Sequence, residues 1–336
     1  MRLTDQQGRE DMINRRNMLL ATAAVFGTAL LNAPRQTFAQ DSAFDRFSLF
    51  VPSGVGGGWD GVARAIDQVG RKAGLLSQIT IDNVPGAGGT VGLPLFINQH
   101  RGRDNSLMIA GNVMMGAIIT NKTLYGLQDV TPVAKLTQEA DVIAVGASSP
   151  YQTIDDLIAA LKKNPGLPIG GGSAGGIDHI ILGLTLKAIG ADVTKANYVA
   201  FSEKAQAIAS MMGNQVHAAL SGYSEYAEQI RAGNLRALAT TGELPLEGAG
   251  VPTLKQIGID VALSSWRGVF APPDVSEEQV ARLVGLITAI HNQPDWKQIL
   301  KDRQWDDAFA TGSDLKSAIA NDRAAIQTAL KAIGLA

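Results

Sequence analysis

The chain of 336 residues carries 29 Lys and Arg against 31 Asp and Glu, a net charge of −2, with four His and no Cys. With no basic run, this balance excludes nucleic acid or an anionic membrane surface as partner. The missing cysteines exclude disulfide staples and a lipid-modified N-terminal cysteine, so stability rests on a buried core. His100, His179, His217 and His291 are scattered without metal-ligand spacing, so no metal and no cofactor is expected.

Asn14-Arg15-Arg16-Asn17-Met18-Leu19 opens an apolar run from Met18 to Leu31, and Thr37-Phe38-Ala39 closes it with a small-residue cleavage pattern. Residues 1–39 therefore read as an export signal, its apolar run shorter than the ~18 to 20 residues that span a bilayer. No membrane insertion is expected once it is cleaved. The paired arginines resemble a twin-arginine signal, while Asn14, Met18 and Leu20 depart from its usual residues and leave the Sec route open. Cleavage removes five basic and three acidic residues, leaving 24 against 28 and a mature charge of −4. What remains is long enough for one large domain or two smaller ones.

Phe47 to Arg64 joins a short apolar run, a loop from Ser53 to Gly58 with almost no side chains, and a helix opening near Trp59 and Asp60. A helix N-terminus has unpaired N–H groups and a partial positive charge, so a glycine loop feeding one offers an anion a place against the main chain. Pro85 to Gly92 and Gly170 to Gly176 have the same character, and three such loops suggest one shared anion site. Between them the pattern predicts a strand over Ser77 to Val84, another over Leu107 to Ala110, a helical patch from Met114 to Ile119, and two short strands at Val133 to Leu136 and Val142 to Val145.

Thr153 suits an N-cap and Asn164-Pro165-Gly166 stops the helix that follows. Helices are then expected over Ile177 to Ile189, Ser202 to Met212 and Tyr226 to Ala232, with strands at Asn197 to Val199, Val216 to Leu220 and Leu235 to Thr240. A short helix should begin at Pro252-Thr253-Leu254, and Val261 to Leu263 and Gly268 to Ala271 are strand-like. After Pro272 the pattern is helical, with a capping box at Ser276 and Gln279 and helices from Pro294 and over Asp314 to Ile333. Strand, loop and helix in alternation imply an α/β fold with parallel sheets and crossover helices.

Several segments in fixed order carry a resemblance: Val51-Pro-Ser with Gly56-Gly-Gly-Trp-Asp60, Asn83 with Pro85-Gly-Ala-Gly-Gly89, Gly170-Gly-Gly-Ser-Ala-Gly-Gly176 with His179, and Tyr198 with Phe201. Gly213-Asn-Gln-Val216, Ala232-Gly-Asn-Leu-Arg-Ala-Leu238, Val251-Pro-Thr-Leu254 and Trp266-Arg-Gly-Val-Phe-Ala-Pro-Pro273 complete it. Over essentially the whole mature chain the sequence resembles the periplasmic substrate-binding subunits of tripartite tricarboxylate transporters, also called Bug receptors. Gly56-Gly-Gly-Trp-Asp60, Ile118-Ile-Thr-Asn-Lys122, Ser221-Gly222-Tyr223 and Trp266-Arg267 look most like the tricarboxylate-binding branch. Ser202-Glu203-Lys204-Ala205 departs from it, standing in place of a glycine-rich continuation.

The resemblance implies a periplasmic, non-enzymatic receptor folded as a two-domain clamshell of type II character, each domain a mostly parallel sheet flanked by helices. Residues 40–140 plus 266–336 would form one domain and 141–265 the other, with crossings near Ala140 and Ser265. A small carboxylate, a tricarboxylate such as citrate, would lie in the cleft before delivery to the membrane subunits of the transporter. The implied contacts are Ser53, Gly57, Gly58, Trp59 and Asp60 from the first loop and Ala87, Gly88 and Gly89 from the second. Ser173, Ala174, Gly175 and His179 come from the third, with Phe201, Ser221, Gly222, Tyr223 and Arg267 completing the set. Asp60 also reads as a first-turn residue anchoring its loop, because a carboxylate aimed at an anion would repel it. Arg267 reads either as a surface or hinge ion pair or as the bidentate partner of an extra carboxylate.

A receptor that reports its ligand to a membrane sensor fits the same residues. So does a weaker enzymatic reading, a secreted serine hydrolase with Gly171-Gly172-Ser173-Ala174-Gly175 as nucleophile elbow and Asp260 and His291 as acid and base, though no HGGG-like oxyanion motif accompanies it. A dinucleotide site fails for want of the third glycine after Gly54-x-Gly56.

Overall fold

The computed structural model describes residues 44–336, so the export signal read over residues 1–39 lies outside the described residues. In chain order the strands are β1 Phe44–Val51, β2 Leu76–Asn83, β3 Ser106–Gly111, β4 Thr131–Gly146 and β5 Pro168–Gly171. They continue as β6 Asn197–Ala200, β7 Ala218–Gly222, β8 Leu235–Thr240, β9 Ser264–Ala271 and β10 Asp306–Ala310. The helices are α1 Gly58–Lys72, α2 Gly92–Gln99, α3 Asn112–Asn121, α4 Ile154–Lys163 and α5 Ile177–Ala188. They end with α6 Lys204–Met212, α7 Tyr223–Arg231, α8 Glu277–His291, α9 Pro294–Arg303 and α10 Gly312–Ala332.

The result is an α/β fold built on one mixed sheet in the order β2-β1-β3-β9-β4-β7-β5-β6, with β10 and β8 also on β4. The parallel pairings implied by alternating strands and helices occur at both ends, where β1 lies parallel to β2 and β3, and β5 parallel to β6 and β7. In the middle, β9 runs antiparallel to both β3 and β4. β3 is buried at every residue, as a strand covered on both faces must be. α1 buries Val62, Ala65, Ile66 and Val69 at helical spacing, with Asp60 in its first turn and Arg71 and Lys72 in its last, the charges that complement the helix dipole. A second cluster around Val142, Met211, Tyr223, Tyr226 and Leu235 fills the space beneath α6 and α7.

β4 differs from the sequence expectation. Val133 to Leu136 and Val142 to Val145 belong to one strand of 16 residues, not two. The polar stretch between them reads as a loop, yet Thr137, Glu139 and Asp141 are buried. The strand changes partners there: Thr131 to Ala140 pairs with β9, and Asp141 to Gly146 with β7 and β8. Ser264-Ser265-Trp266-Arg267 likewise lies inside β9, while Val261 to Leu263 forms no strand. Pro252-Thr253-Leu254 leads only into a three-residue helical turn, Lys255–Ile257. β10 went unforeseen because it opens on two aspartates and pairs only at an edge.

Candidate ligand-binding site

The three glycine loops are shaped by groups behind them. Asp60, buried in the first turn of α1, accepts the Gly56 N–H at 2.9 Å, Arg64 Nε at 2.7 Å and Nη2 at 3.1 Å, and Asn83 Nδ2 at 3.1 Å. Burial works to raise the Asp60 pKa, but the bonds from Arg64, Gly56 and Asn83 outweigh it and hold the carboxylate below its ordinary value. Asn83 also donates to the Ser53 carbonyl at 3.1 Å, tying the loop to β2. In the second loop Gly88 and Gly89 take φ of 66° and 86°. A side chain on Gly89 would run into Trp59 and Met114, so only glycine fits there.

The third loop hangs from α5 and β6. The Gly172 N–H donates to Asp178 Oδ2 at 2.6 Å, the Gly175 N–H to His179 Nδ1 at 3.1 Å, and the Tyr198 hydroxyl to the Gly172 carbonyl at 3.0 Å. His179 stacks on Tyr198 with ring centroids 4.1 Å apart, and its burial lowers its pKa, as suits a neutral acceptor.

These loops meet around a cavity of about 140 Å³, an order of size that holds a small organic molecule. Of the residues expected from sequence, Ser53, Gly57, Gly58, Trp59, Ala87, Gly88 and Gly89 line it from one side. Ser173, Phe201, Ser221, Gly222 and Arg267 line it as well. Asp60, Ala174, Gly175, His179 and Tyr223 do not. Asp60 and His179 are turned to their own loops, Gly175 packs on Thr120, and Tyr223 is buried in the cluster beneath α6 and α7.

The sequence reading missed the acids of the lining, Asp178, Glu203 and Glu225, together with Lys204 and Tyr226. Asp178 and Glu225 sit in the first turns of helices that begin at Gly176 and Gly222, just as Asp60 follows Gly57. A glycine followed within three residues by an acid at a helix start was the available signal. Ser202 and Glu203, where the chain leaves the branch pattern, press on the first loop: a Cβ at Gly54 would lie 3.0 Å from both the Ser202 carbonyl and Glu203 Cγ.

The arginine lines the cavity and is already held in ion pairs through one of its nitrogens. Arg267, on β9, is 4% exposed and pairs through Nη2 with Glu139 of β4 and, at 3.5 Å, with Glu225 of α7. Its guanidinium lies against Gly58, where any Cβ would collide with it. Burial disfavours its charge, but Glu139 and Glu225 hold it firmly protonated. Glu139 also accepts the Ser224 N–H at 3.2 Å, filling the start of α7. Asp141 accepts Ser265 Oγ at 3.2 Å; burial pushes its pKa well up and Asp178 pushes it further. Burial likewise pushes Glu225 up to about 7, with Glu139 and Asp178 adding to the effect and Arg267 and Lys204 opposing it.

No serine-hydrolase relay forms. His291 is bonded to Asp307 at 2.8 Å and stacked on Phe309, His179 is taken by the Gly175 N–H, and Asp260 is exposed.

The helix starts complete the geometry. α1, α5 and α7 begin at Gly57, Gly176 and Gly222, none with a side-chain cap, and all three glycines line the cavity. The start of α7 is filled from within by Glu139, whereas Gly57 and Gly176 leave those of α1 and α5 without a side-chain cap, and their first turns contribute Gly58, Trp59 and Asp178 to the lining.

The model of the tripartite tricarboxylate transporter family receptors matches residues 62–335. A UPF0065 protein of Agrobacterium vitis is 27% identical over 241 residues, 70% of this chain and 68% of that one. The periplasmic binding protein BugD superposes with a TM-score of 0.76 at 20% identity, covering 87% of this chain and 98% of its own. An R. palustris protein solved with adipate gives 0.78 at 21% identity over 86% and 97%. These likenesses establish the periplasmic-binding-protein fold, and the family match spans most of the chain. The chain belongs to the tripartite tricarboxylate transporter family of receptors, which bind solutes and are not enzymes.

Proposed function

We propose that the protein is a periplasmic receptor that captures a small carboxylate and delivers it to the membrane subunits of a tripartite transporter. The observation that carries this reading is the convergence of two uncapped helix starts, those of α1 and α5, on one cavity. Charge-assisted hydrogen bonds contribute about 1.5–3 kcal/mol each, and a dissociation constant near 1 μM needs about −8.2 kcal/mol. A few such bonds suffice after the cost of immobilising the ligand. In the same reading β4 and β9 are the crossings between two lobes, residues 44–140 with 266–336 and residues 141–265, and ligand drawn to both helix starts holds the lobes together.

A dicarboxylate needs only the two helix starts, and the structural neighbour solved with adipate supports that class. A tricarboxylate such as citrate fits if Lys204, the lining cation outside the Arg267 cluster, meets the third group. A thermal-shift screen of the mature protein against succinate, adipate, citrate and tricarballylate, with an uncharged control, tests the reading. A true ligand at about 100 times its dissociation constant adds roughly 2.7 kcal/mol of stability. If no carboxylate raises the melting temperature, the proposal fails.

A further inference from the structure

The cavity for an anion is built beside a surplus of acidic side chains that are buried or nearly so. Glu139 and Asp141 come from β4, Asp178 from α5 and Glu225 from α7, and Arg267 from β9 is the cation set among them. Lys204 at the start of α6 lines the same cavity and opposes the surplus, and Arg303 of α9, over the Trp305 ring, feels Glu139 and Arg267. Asp60 is already balanced by Arg64, and half-buried Tyr198 and buried Tyr226 stay neutral. Asp306 of β10 is a further acid that feels the charge of Glu139.

An incoming carboxylate adds charge to this cluster, and like charges within a shared site cannot all stay ionised. The acids differ in their freedom to answer. Glu139 has both oxygens engaged, by Arg267 and by the Ser224 N–H. Asp178 accepts the Gly172 N–H, and Asp141 is fully buried, out of reach of a ligand, and accepts from Ser265. Glu225 is different: it lines the cavity, is 17% exposed, and has only the long 3.5 Å contact with Arg267.

We propose that Glu225 meets the ligand as a carboxylic acid and donates a hydrogen bond to one of its carboxylates, so that capture takes up one proton from solvent. This rests on the carboxylate reading of the cavity and adds to it the residue that sets the protonation state in which ligand is held. Its ordinary balance near neutral pH puts the uptake where a modest change in acidity alters occupancy.

Calorimetry with adipate and with citrate, each in two buffers of different ionisation enthalpy, tests it on the unmodified protein and on Glu225→Gln. The expected uptake approaches about one proton per ligand at pH 8 and falls towards none at pH 5.5, beyond what the ligand's own titration supplies. Affinity of the parent should weaken about tenfold per pH unit above pH 7, while Glu225→Gln, which keeps a donor but no titrating proton, binds with a flat profile. If the carboxylates bind with no proton uptake, or Glu225→Gln keeps the parent's pH profile, the inference is overturned and the receptor reading stands. If none of them binds at either pH, both fall together.

Discussion

Two groups of helix starts in this protein contrast. Away from the cavity, α4 begins with Thr153, whose hydroxyl accepts the Asp156 N–H while Asp156 accepts in return, and α8 begins with the matching box of Ser276 and Gln279. At the cavity, α1, α5 and α7 begin with glycine and have no side-chain cap. A glycine N-cap costs only a few tenths of a kcal/mol relative to a capping side chain. The cavity helices thus give up little stability to keep their N–H groups open, and α7 shows the alternative, an N–H taken by the carboxylate of Glu139. The contrast sets the capped starts of α4 and α8 against the uncapped glycine starts at the cavity; α3 also begins at an uncapped glycine, Gly111, which lies outside the lining.

The largest effect is expected where the cavity region is most strained by charge. Arg267→Ala leaves Glu139 and Glu225 without their cation, and breaking a buried pair this way costs about 3–5 kcal/mol. Urea unfolding at pH 7.5 should show that loss, and the loss should shrink at pH 5, where the acids can hold protons. An Arg267→Ala variant as stable as its parent would show that the charge cluster does not tie α7 to β4 and β9.

The pH dependence of the ligand-free protein comes next. Below about 4.5 Glu225 is protonated whether folded or unfolded and contributes nothing. Between 4.5 and about 7 the unfolded chain ionises while the folded one keeps its proton, so stability falls as pH rises, and above 7 the penalty is complete. At 1.36 kcal/mol per pH unit this is on the order of 3 kcal/mol, and Asp141, raised in the same sense, adds to it. Unfolding curves from pH 4.5 to 8 should show the decline, and Glu225→Gln should flatten most of it.

What sequence alone revealed follows the same division. The capped starts were legible, because Thr153 with Asp156 and Ser276 with Gln279 are local patterns whose partners lie three residues apart. The glycine loops were legible too, since a strand, a run of glycines and a helix start are contiguous. The charge cluster was not. Glu139 meets Arg267 across 128 residues and Ser224 across 85, and nothing local marks an acid in mid-strand as buried. That same acid, with Thr137 and Asp141, made β4 look like two strands. Asp178 and Glu225 went unread because a first-turn acid ordinarily serves the helix dipole, and only the meeting of α5 and α7 at one cavity turns it into a lining group.

The comparison sharpens if a cap is moved to where the cavity lacks one. Gly57 has an ordinary φ of −76°, and a Cβ there would lie 3.6 Å from the Gly54 carbonyl, so serine fits without strain. In Gly57→Ser the hydroxyl should accept the first N–H groups of α1, leaving folding stability within about 0.5 kcal/mol of the parent. It should also compete with ligand for those groups, and losing one charge-assisted bond of about 1.5–3 kcal/mol weakens binding by roughly tenfold to a hundredfold. Calorimetry with the best carboxylate from the screen reads this directly. Unchanged affinity would mean that the start of α1 is not where the carboxylate lies.

The smallest effect is the reciprocal one. Thr153→Ala removes a cap from α4, whose buried face of Ile154, Leu157 and Leu161 packs away from the cavity. The Asp156 N–H then loses its acceptor, a cost of about 1 kcal/mol, visible as a lower urea midpoint with an unchanged slope. Carboxylate affinity should stay the same, because the loss spreads through the folding equilibrium and touches no group at the cavity. Gly57→Ser and Thr153→Ala together form a test neither provides alone: one should change binding at constant stability, the other stability at constant binding. If both moved both quantities, helix starts near and far from the cavity would be performing the same task, and the glycine caps would be turns and nothing more.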